Sequence, residues 1–249
     1  MELLITVTNY IDALLDSKKF DDYAPNGLQV QGKAEIQKIV TGVSATQAFI
    51  EAAIEKQADA ILVHHGWFWD KEDPRIIGMK YKRLKLLMDN DISLLGYHLP
   101  LDAHPEFGNN AQLAKRLDIH IEDVMDKQGV GNFGRLPEYT SLEKLGEKIE
   151  TSLSRKPTLI RGGDHAIRKV AWCTGGAQNW IHQAAEAGVD VYISGEISEH
   201  TVHVAREMGV HYIAAGHHAT ERYGAMALGE HVAAKFGLQC EFVDIDNPA

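Results

Sequence analysis

The sequence predicts an α/β protein built from two α/β repeats of α-β-(βα)3 type, with mixed, mostly parallel sheets covered by helices. Three observations carry this. Apolar runs of strand length alternate with amphipathic stretches of helical period along the chain, the pattern of parallel strands joined by crossover helices. The element order is the same in the two halves. KIVTGVSATQAFIEAAIEKQADAIL, residues 38–62, also aligns without gaps on KVAWCTGGAQNWIHQAAEAGVDVYI, residues 169–193. That alignment pairs Lys38 with Lys169, Gln47 with Gln178, Ile50 with Ile181, Ala53 with Ala184, Glu55 with Glu186 and Asp59 with Asp190, the self-similarity expected of a duplication. The expected repeats are 1–125 and 126–249, packed as one unit.

Taken in order, Leu3, Leu4, Val7, Ile11, Leu14 and Leu15 recur at helical spacing and predict a helix over 3–16. Pro25, Asn26 and Gly27 make a turn into the strand 28–30. There follow a strand at 37–41, a helix at 45–57, a strand at 60–63, a helix at 79–89, a strand at 92–96 and a helix at 109–117. In the second half a helix runs over 140–153, with Thr140 and Glu143 spaced as a capping box. Strands are expected at 158–160, 170–173, 191–193, 211–214 and 241–243. Helices are expected at 177–187, 199–208 and 220–235.

Composition narrows the function. The 249 residues suffice for one large core or two modest ones, and a formal charge of −10 opposes broad binding to nucleic-acid backbones. Two cysteines, Cys173 and Cys240, provide neither a disulfide framework nor a cysteine metal site. The N-terminal stretch carries Glu2, Asp12 and Asp16 within a helical pattern, unlike a signal peptide, and no apolar run reaches the roughly 20 residues that cross a bilayer. The expected location is the cytoplasm, without membrane contact.

Thirteen histidines stand out, several of them in pairs. His64 and His65 leave the apolar strand that ends at Val63, at the carboxyl end of a parallel strand, where ligand sites gather. Adjacent residues leaving a strand point apart, so two neighbouring metals can take one imidazole each. Asp102 follows the next strand, in a loop stiffened by Pro100 and Pro105. In the second half, AAGHHATER places His217 and Glu221 at i and i+4 on one helical face, and a glutamate there can bridge two cations. Imidazole plus carboxylate suits Zn, Mn, Fe, Co or Ni as divalent ions, and two such ions commonly activate water for hydrolysis.

The segments DYAPNGLQVQG, VTGVSATQ, ILVHHGWFW, LLGYHLPLDAHPEFGNNAQLA, KVAWCTGGAQ, ISGEISEHTVHVARE and AAGHHATERYG resemble the YbgI proteins of the NIF-three-like family, also known as GTP cyclohydrolase I type 2 homologues. The resemblance covers the chain from about Leu3 to Ala249, and no motif position departs from it. It implies two intertwined repeats, a dinuclear centre held by His64, His65, Asp102, His217 and Glu221 with Glu221 as the bridge, and a toroidal homohexamer.

Around these five, His98 and His104 bracket Asp102 and His218 adjoins His217. Each is a candidate proton carrier or orienting partner, with a hydrogen-bonded loop histidine as the plainer reading. His98 is the first choice. Glu196, at the repeat position equivalent to His65, is a candidate general base, with Glu199 beyond it. Asn109 and Asn110 are expected to cap a helix. Trp67, Phe68 and Trp69 can stack a planar base or form core, and Gly175-Gly176 suits an anion. Together these predict a metal-dependent hydrolase of a small, nucleotide-like substrate. The alternatives are a non-catalytic metal-binding ring, a partner-interaction protein, or a factor handling damaged nucleotides or DNA.

Overall fold

In chain order the elements are β1 (Glu2–Leu3), α1 (Leu4–Leu14), β2 (Gly27–Val30), β3 (Glu35–Ile36), β4 (Lys38–Ser44), α2 (Gln47–Glu55), β5 (Ala60–His65), α3 (Gly78–Asp89), β6 (Ser93–Gly96), α4 (Leu99–Ala103) and α5 (Asn109–Leu117). They continue with β7 (His120–Val124), β8 (Asn132–Thr140), α6 (Leu142–Leu153), β9 (Thr158–Ile160), β10 (Ile167–Cys173), α7 (Ile181–Glu186), β11 (Val191–Ser194), α8 (Glu199–Met208), β12 (His211–Ala214), α9 (His217–Phe236) and β13 (Gln239–Phe242). The computed structural model describes residues 1–249. Two units emerge, Met1–Leu101 with Gly224–Asp246, and Asp102–Tyr223 with Asn247–Ala249.

The first unit holds a five-stranded sheet in the order β13-β4-β5-β6-β2. Its β13, β4, β5 and β6 run parallel, and β2 closes the edge antiparallel to β6. β5 is apolar on both faces, so Ile61 and Val63 join Val40, Leu94, Phe49, Ile50 and Leu87 in one core. Helix α2 starts where the Thr46 hydroxyl accepts the Phe49 N–H at 3.2 Å, a standard N-cap. It lies so close to β4 that a Cβ on Gly42 would sit 2.3 Å from the Phe49 ring.

The second unit holds a six-stranded sheet in the order β7-β8-β10-β11-β12-β9. Its central strands β10, β11 and β12 are parallel, and β8 and β9 pair antiparallel with the flanks of that trio. Trp172, Ile193 and Ile213 from these strands pack with Leu145, Ile149 and Leu153 of α6. Burying each such side chain is worth about 1.5–3 kcal/mol.

The two sheets repeat one hydrogen-bonding pattern. Asp59 accepts the backbone N–H groups of Gln37 at 2.8 Å and Lys38 at 3.1 Å, while Asp190 accepts those of Arg168 at 2.8 Å and Lys169 at 2.7 Å. Each aspartate thereby joins the loop before one strand to the start of the preceding one, and each trio of parallel strands carries an antiparallel fourth next to its last member.

Some elements differ from the sequence expectation. The cap of α6 is Ser141, whose hydroxyl accepts the Lys144 N–H at 3.3 Å, and Thr140 is the last residue of β8. The Ser-Thr capping box falls instead at Ser198 and Thr201, opening α8. The hairpin β7–β8 has no counterpart among the expected strands, because β7 is exposed along its whole length and shows no apolar alternation. Pro137 sits in β8 where the register against β10 slips between the Ile167–Thr140 and Lys169–Arg135 pairs, a bulge where a missing N–H costs little. The helix expected from residue 177 starts as a 3-10 turn, Gln178–Trp180, before α7.

Candidate metal centre

In the first unit, β5 ends in His64 and His65. His64 is fully buried, and its Nδ1 lies 3.0 Å from the Tyr97 carbonyl oxygen. A carbonyl only accepts, so Nδ1 carries the hydrogen and Nε2 keeps its lone pair. His65 places Nδ1 3.0 Å from the Ser44 hydroxyl, and the two rings are 4.5 Å apart. The chain leaving this pair is pinned by Gln29, whose Oε1 accepts the Trp67 N–H at 2.7 Å and whose Nε2 donates to the Pro25 carbonyl at 2.7 Å. Only glycine leaves room for that plug, since a Cβ on Gly66 would lie 2.2 Å from Gln29 Oε1. Trp67 is core here, with its indole N–H on the Ala45 carbonyl at 2.9 Å.

His98 follows β6 and meets the same pair. The ring nitrogens that His64, His65 and His98 offer all lie within 4.8 Å of one another. His98 Nδ1 is 2.8 Å from Asp22 Oδ1. Burial pushes the Asp22 carboxyl up, yet the hydrogen bonds from His98 and Asn26 outweigh it and hold the group below its usual value. The rings of Tyr23 and Trp69 stand nearly perpendicular to that of His98, at 4.9 and 5.0 Å between centroids.

In the second unit, Asp102 and Glu221 are buried, and a carboxylate oxygen of each lies within 4.8 Å of the other. Asp102 Oδ1 accepts from Asn109 Nδ2 at 2.9 Å and from the Thr174 hydroxyl at 3.3 Å. Asn110 ties its Oδ1 to the Thr174 N–H at 3.0 Å and its Nδ2 to the Asp102 carbonyl at 3.3 Å. The cap of α5 is Gly108. The two asparagines therefore hold Asp102 rather than cap the helix.

At the start of α9, His217 Nε2 lies 3.1 Å from Glu221 Oε2, and its Nδ1 lies 2.7 Å from Glu196 Oε1. Burial pulls this imidazole down, but the Glu221 and Glu196 carboxylates on its two nitrogens win and raise it to about 9. Gly175 forms the cradle for Glu221. At φ +69 it has no side chain, and a Cβ there would stand 2.1 Å from Glu221 Oε1 and 3.1 Å from His217 Nε2. Of the glycine pair, Gly175 thus makes room for a carboxylate, whereas a Cβ on Gly176 would meet nothing closer than 3.6 Å. Burial, with Asp102 and Glu221 adding to it, pushes the Cys173 thiol well up, so it stays protonated and is a poor ligand.

Glu196 lies within 2.7 Å of His217, on the ring nitrogen away from Glu221. Glu199 is exposed and pairs with His203 at 2.8 Å. His104 Nδ1 accepts the backbone N–H groups of Glu106 at 3.2 Å and Phe107 at 3.1 Å, which makes it a turn-forming histidine. The sequence reading missed Asp22, a partner from a distant loop; the only local signal is its place in the motif DYAPNGLQVQG.

These donors fit divalent metal. Three imidazoles converge in the first unit, and two buried carboxylates in the second offer oxygens within 4.8 Å of each other, an arrangement that a cation or a proton stabilises. The fold and the donors define an α/β protein whose His, Asp and Glu side chains can hold metal ions at the carboxyl ends of parallel strands.

The pattern of the Duf34/NIF3 (NGG1p interacting factor 3) family matches residues 3–248, and the chain belongs to that family. It is 57% identical over 242 residues to a Haemophilus influenzae protein named GTP cyclohydrolase 1 type 2 homolog, covering 96% of each chain. Among solved structures it is similar to protein ybgI, described as of unknown function, with a TM-score of 0.97, 50% identity and coverage of 99% and 100%. A second structure, of a Thermus thermophilus protein, gives a TM-score of 0.90 at 33% identity, with 99% of this chain and 100% of that one covered.

Proposed function

We propose that this chain is a dinuclear metal-dependent hydrolase of a small, nucleotide-like substrate, with His64, His65, Asp102, His217 and Glu221 as the metal ligands and Glu221 as their bridge. The observation that carries this reading is the donor chemistry at the strand ends. Imidazoles gather at the end of β5 and just after β6 in the first unit, and buried carboxylates gather beside His217 in the second. The five residues are also those that the family resemblance names, drawn from both repeats, 1–125 and 126–249. A bound pair of divalent ions, Zn, Fe, Mn, Ni or Co, supplies Lewis acidity and a water acidic enough to act near neutral pH.

The chain's own residues do the rest. Asn109 and Thr174 orient Asp102. Glu196 accepts from His217 Nδ1 and turns Nε2 toward Glu221, the arrangement by which a carboxylate fixes a ligating imidazole. The reading gives proton transfer to His98, with Glu196 as the second catalytic residue. Tyr23 and Trp69 offer aromatic faces beside His98 for a planar base, and the name borne by the H. influenzae relative points the same way.

The reading also takes the protein to be cytoplasmic and a toroidal homohexamer. Exposed Ile76, Ile77, Met79 and Tyr81 supply apolar surface of the kind that subunit contacts cover. No helix is long and apolar enough to cross a membrane.

The test is elemental analysis together with turnover of nucleotides, phosphoesters and cyclic amides, on wild type and His65→Ala side by side. The proposal expects bound metal and turnover in the wild type and loss of both in the variant. A metal-loaded wild type inert across the panel overturns the hydrolase reading.

A further inference from the structure

His98 is held by more contacts than a loop histidine needs. Its backbone N–H donates to Asn26 Oδ1 at 2.7 Å, and its Nδ1 lies 2.8 Å from Asp22 Oδ1. The other oxygen of Asp22 accepts from Asn26 Nδ2 at 2.9 Å and from the Leu99 backbone N–H at 2.9 Å. The Asp22 side chain is only 2% exposed. The ring is enclosed by four others, with centroids of Tyr23 at 4.9 Å, Trp69 at 5.0 Å, His64 at 5.0 Å and His65 at 5.8 Å.

Asp22 comes from a loop 76 positions earlier in the chain than His98. Apart from His98, the groups on this carboxylate, Asn26 Nδ2 and the Leu99 N–H, are both donors and both reach Oδ2. Burial raises the carboxyl, but these hydrogen bonds and the one with His98 outweigh it and hold the group below its usual value, so it is ionised at neutral pH and has nothing to donate. The hydrogen between Asp22 and His98 then sits on His98 Nδ1, and in the neutral ring this leaves the Nε2 lone pair for the side where His64 and His65 offer their own nitrogens.

We infer that Asp22 is the positioning residue for His98, fixing the imidazole in the tautomer that presents an unprotonated Nε2 to the His64–His65 pair. The inference deepens the functional reading above and rests on it for what His98 does with that nitrogen. A base held by a buried carboxylate on its far nitrogen takes protons in one fixed direction without reorienting. Asp22 touches no reacting atom; it acts through His98 alone.

Asp22→Asn tests this sharply. Two donors, Asn26 Nδ2 and the Leu99 N–H, converge on Oδ2, so the amide oxygen of Asn takes that place and its NH2 faces His98 Nδ1. An NH2 group needs an acceptor, which forces the hydrogen of His98 from Nδ1 to Nε2. The experiment is two-bond proton–nitrogen correlation on full-length, chelator-treated protein labelled with 15N-histidine, at about pH 8, where an ordinary imidazole is neutral. His98 is assigned by the signal lost in His98→Gln.

In wild type and in Asp22→Glu, the hydrogen-free nitrogen of His98 is expected to be Nε2; in Asp22→Asn it is expected to be Nδ1. Should Asp22→Asn fail to fold, the wild-type spectrum still decides, because a hydrogen on Nε2 there overturns the inference. An unchanged tautomer in folded Asp22→Asn overturns it equally. Uptake of divalent Zn, Mn, Fe, Co and Ni is measured on the same preparations after chelator removal. A wild type that takes up none of them defeats the functional reading while leaving the tautomer result standing.

Discussion

Gly175 is the position where one methyl group separates metal binding from folding. Its φ of +69 suits glycine, and forcing an alanine into that region costs about 1–2 kcal/mol. For a chain of this size that is a fall in Tm of roughly 2–8 °C, at about 2–4 °C per kcal/mol. The new Cβ would stand 2.1 Å from Glu221 Oε1, whereas carbon and oxygen rarely approach closer than about 3.3 Å. The carboxylate must retreat by about 1.2 Å, since the obstacle lies at the end of a side chain and the backbone need not follow. A displacement of that size in a ligand shell should weaken Zn2+ binding about 100-fold, or roughly 2.8 kcal/mol at about 1.4 kcal/mol per factor of ten.

Gly209→Ala is the control, with φ +70 and nothing within 4 Å of the added Cβ. Thermal melts and Zn2+ titration of both variants separate the two effects. Similar losses of Tm are expected, with weakened zinc binding only in Gly175→Ala. Wild-type zinc affinity in Gly175→Ala, or equal losses of affinity in both, would refute the reasoning.

Glu196→Ala removes the acceptor on His217 Nδ1 and should weaken Zn2+ binding about 10- to 100-fold by calorimetry, the usual cost of losing an orienting partner; unchanged affinity would deny Glu196 that role. Asp59 is pushed up by burial, but the Lys33 ammonium and the Gln37 and Lys38 N–H groups outweigh this and hold it below its ordinary value. A depressed carboxyl stabilises the fold above its unfolded value of 3.8 and loses that contribution as pH falls through the lower folded value. Asp59→Asn should therefore melt below wild type at neutral pH, with the gap narrowing as the pH drops below about 4; a gap independent of pH would contradict this. Trp172, fully buried with its indole N–H on the Asn110 carbonyl at 3.0 Å, should cost about 3–5 kcal/mol when cut to alanine, measured by urea unfolding.

Much of the fold was legible because parallel strands buried on both faces announce themselves as apolar runs. Ala60–Val63, Val170–Cys173 and Val191–Ile193 all lie where the pattern put them. β7 escaped because it is exposed along its whole length, and β8 because its buried positions are Asn132, Gly134 and Leu136, of which only the last is a large apolar residue, so no apolar alternation marks it. β13 read as a strand, but its pairing with β4 is a contact across most of the chain that no local pattern encodes.

The same division runs through the site. His64 and His65 were visible from their place after a strand. Asp22 was not, since its bond to His98 spans 76 positions. Asn109 and Asn110 looked like helix caps because that is what asparagines before a helix usually are; their hold on Asp102 depends on the fold bringing Thr174 beside them. Gly175-Gly176 suggested an anion site, and Gly175 does face a carboxylate, that of Glu221 in its own unit.

The most direct test of the metal assignment is anomalous diffraction at the zinc edge from crystals of zinc-loaded protein. The account predicts two peaks per chain, bonded by His64, His65, Asp102 and His217, with Glu221 touching both. Peaks bonded to other side chains, or none in protein that keeps its fold, would contradict it.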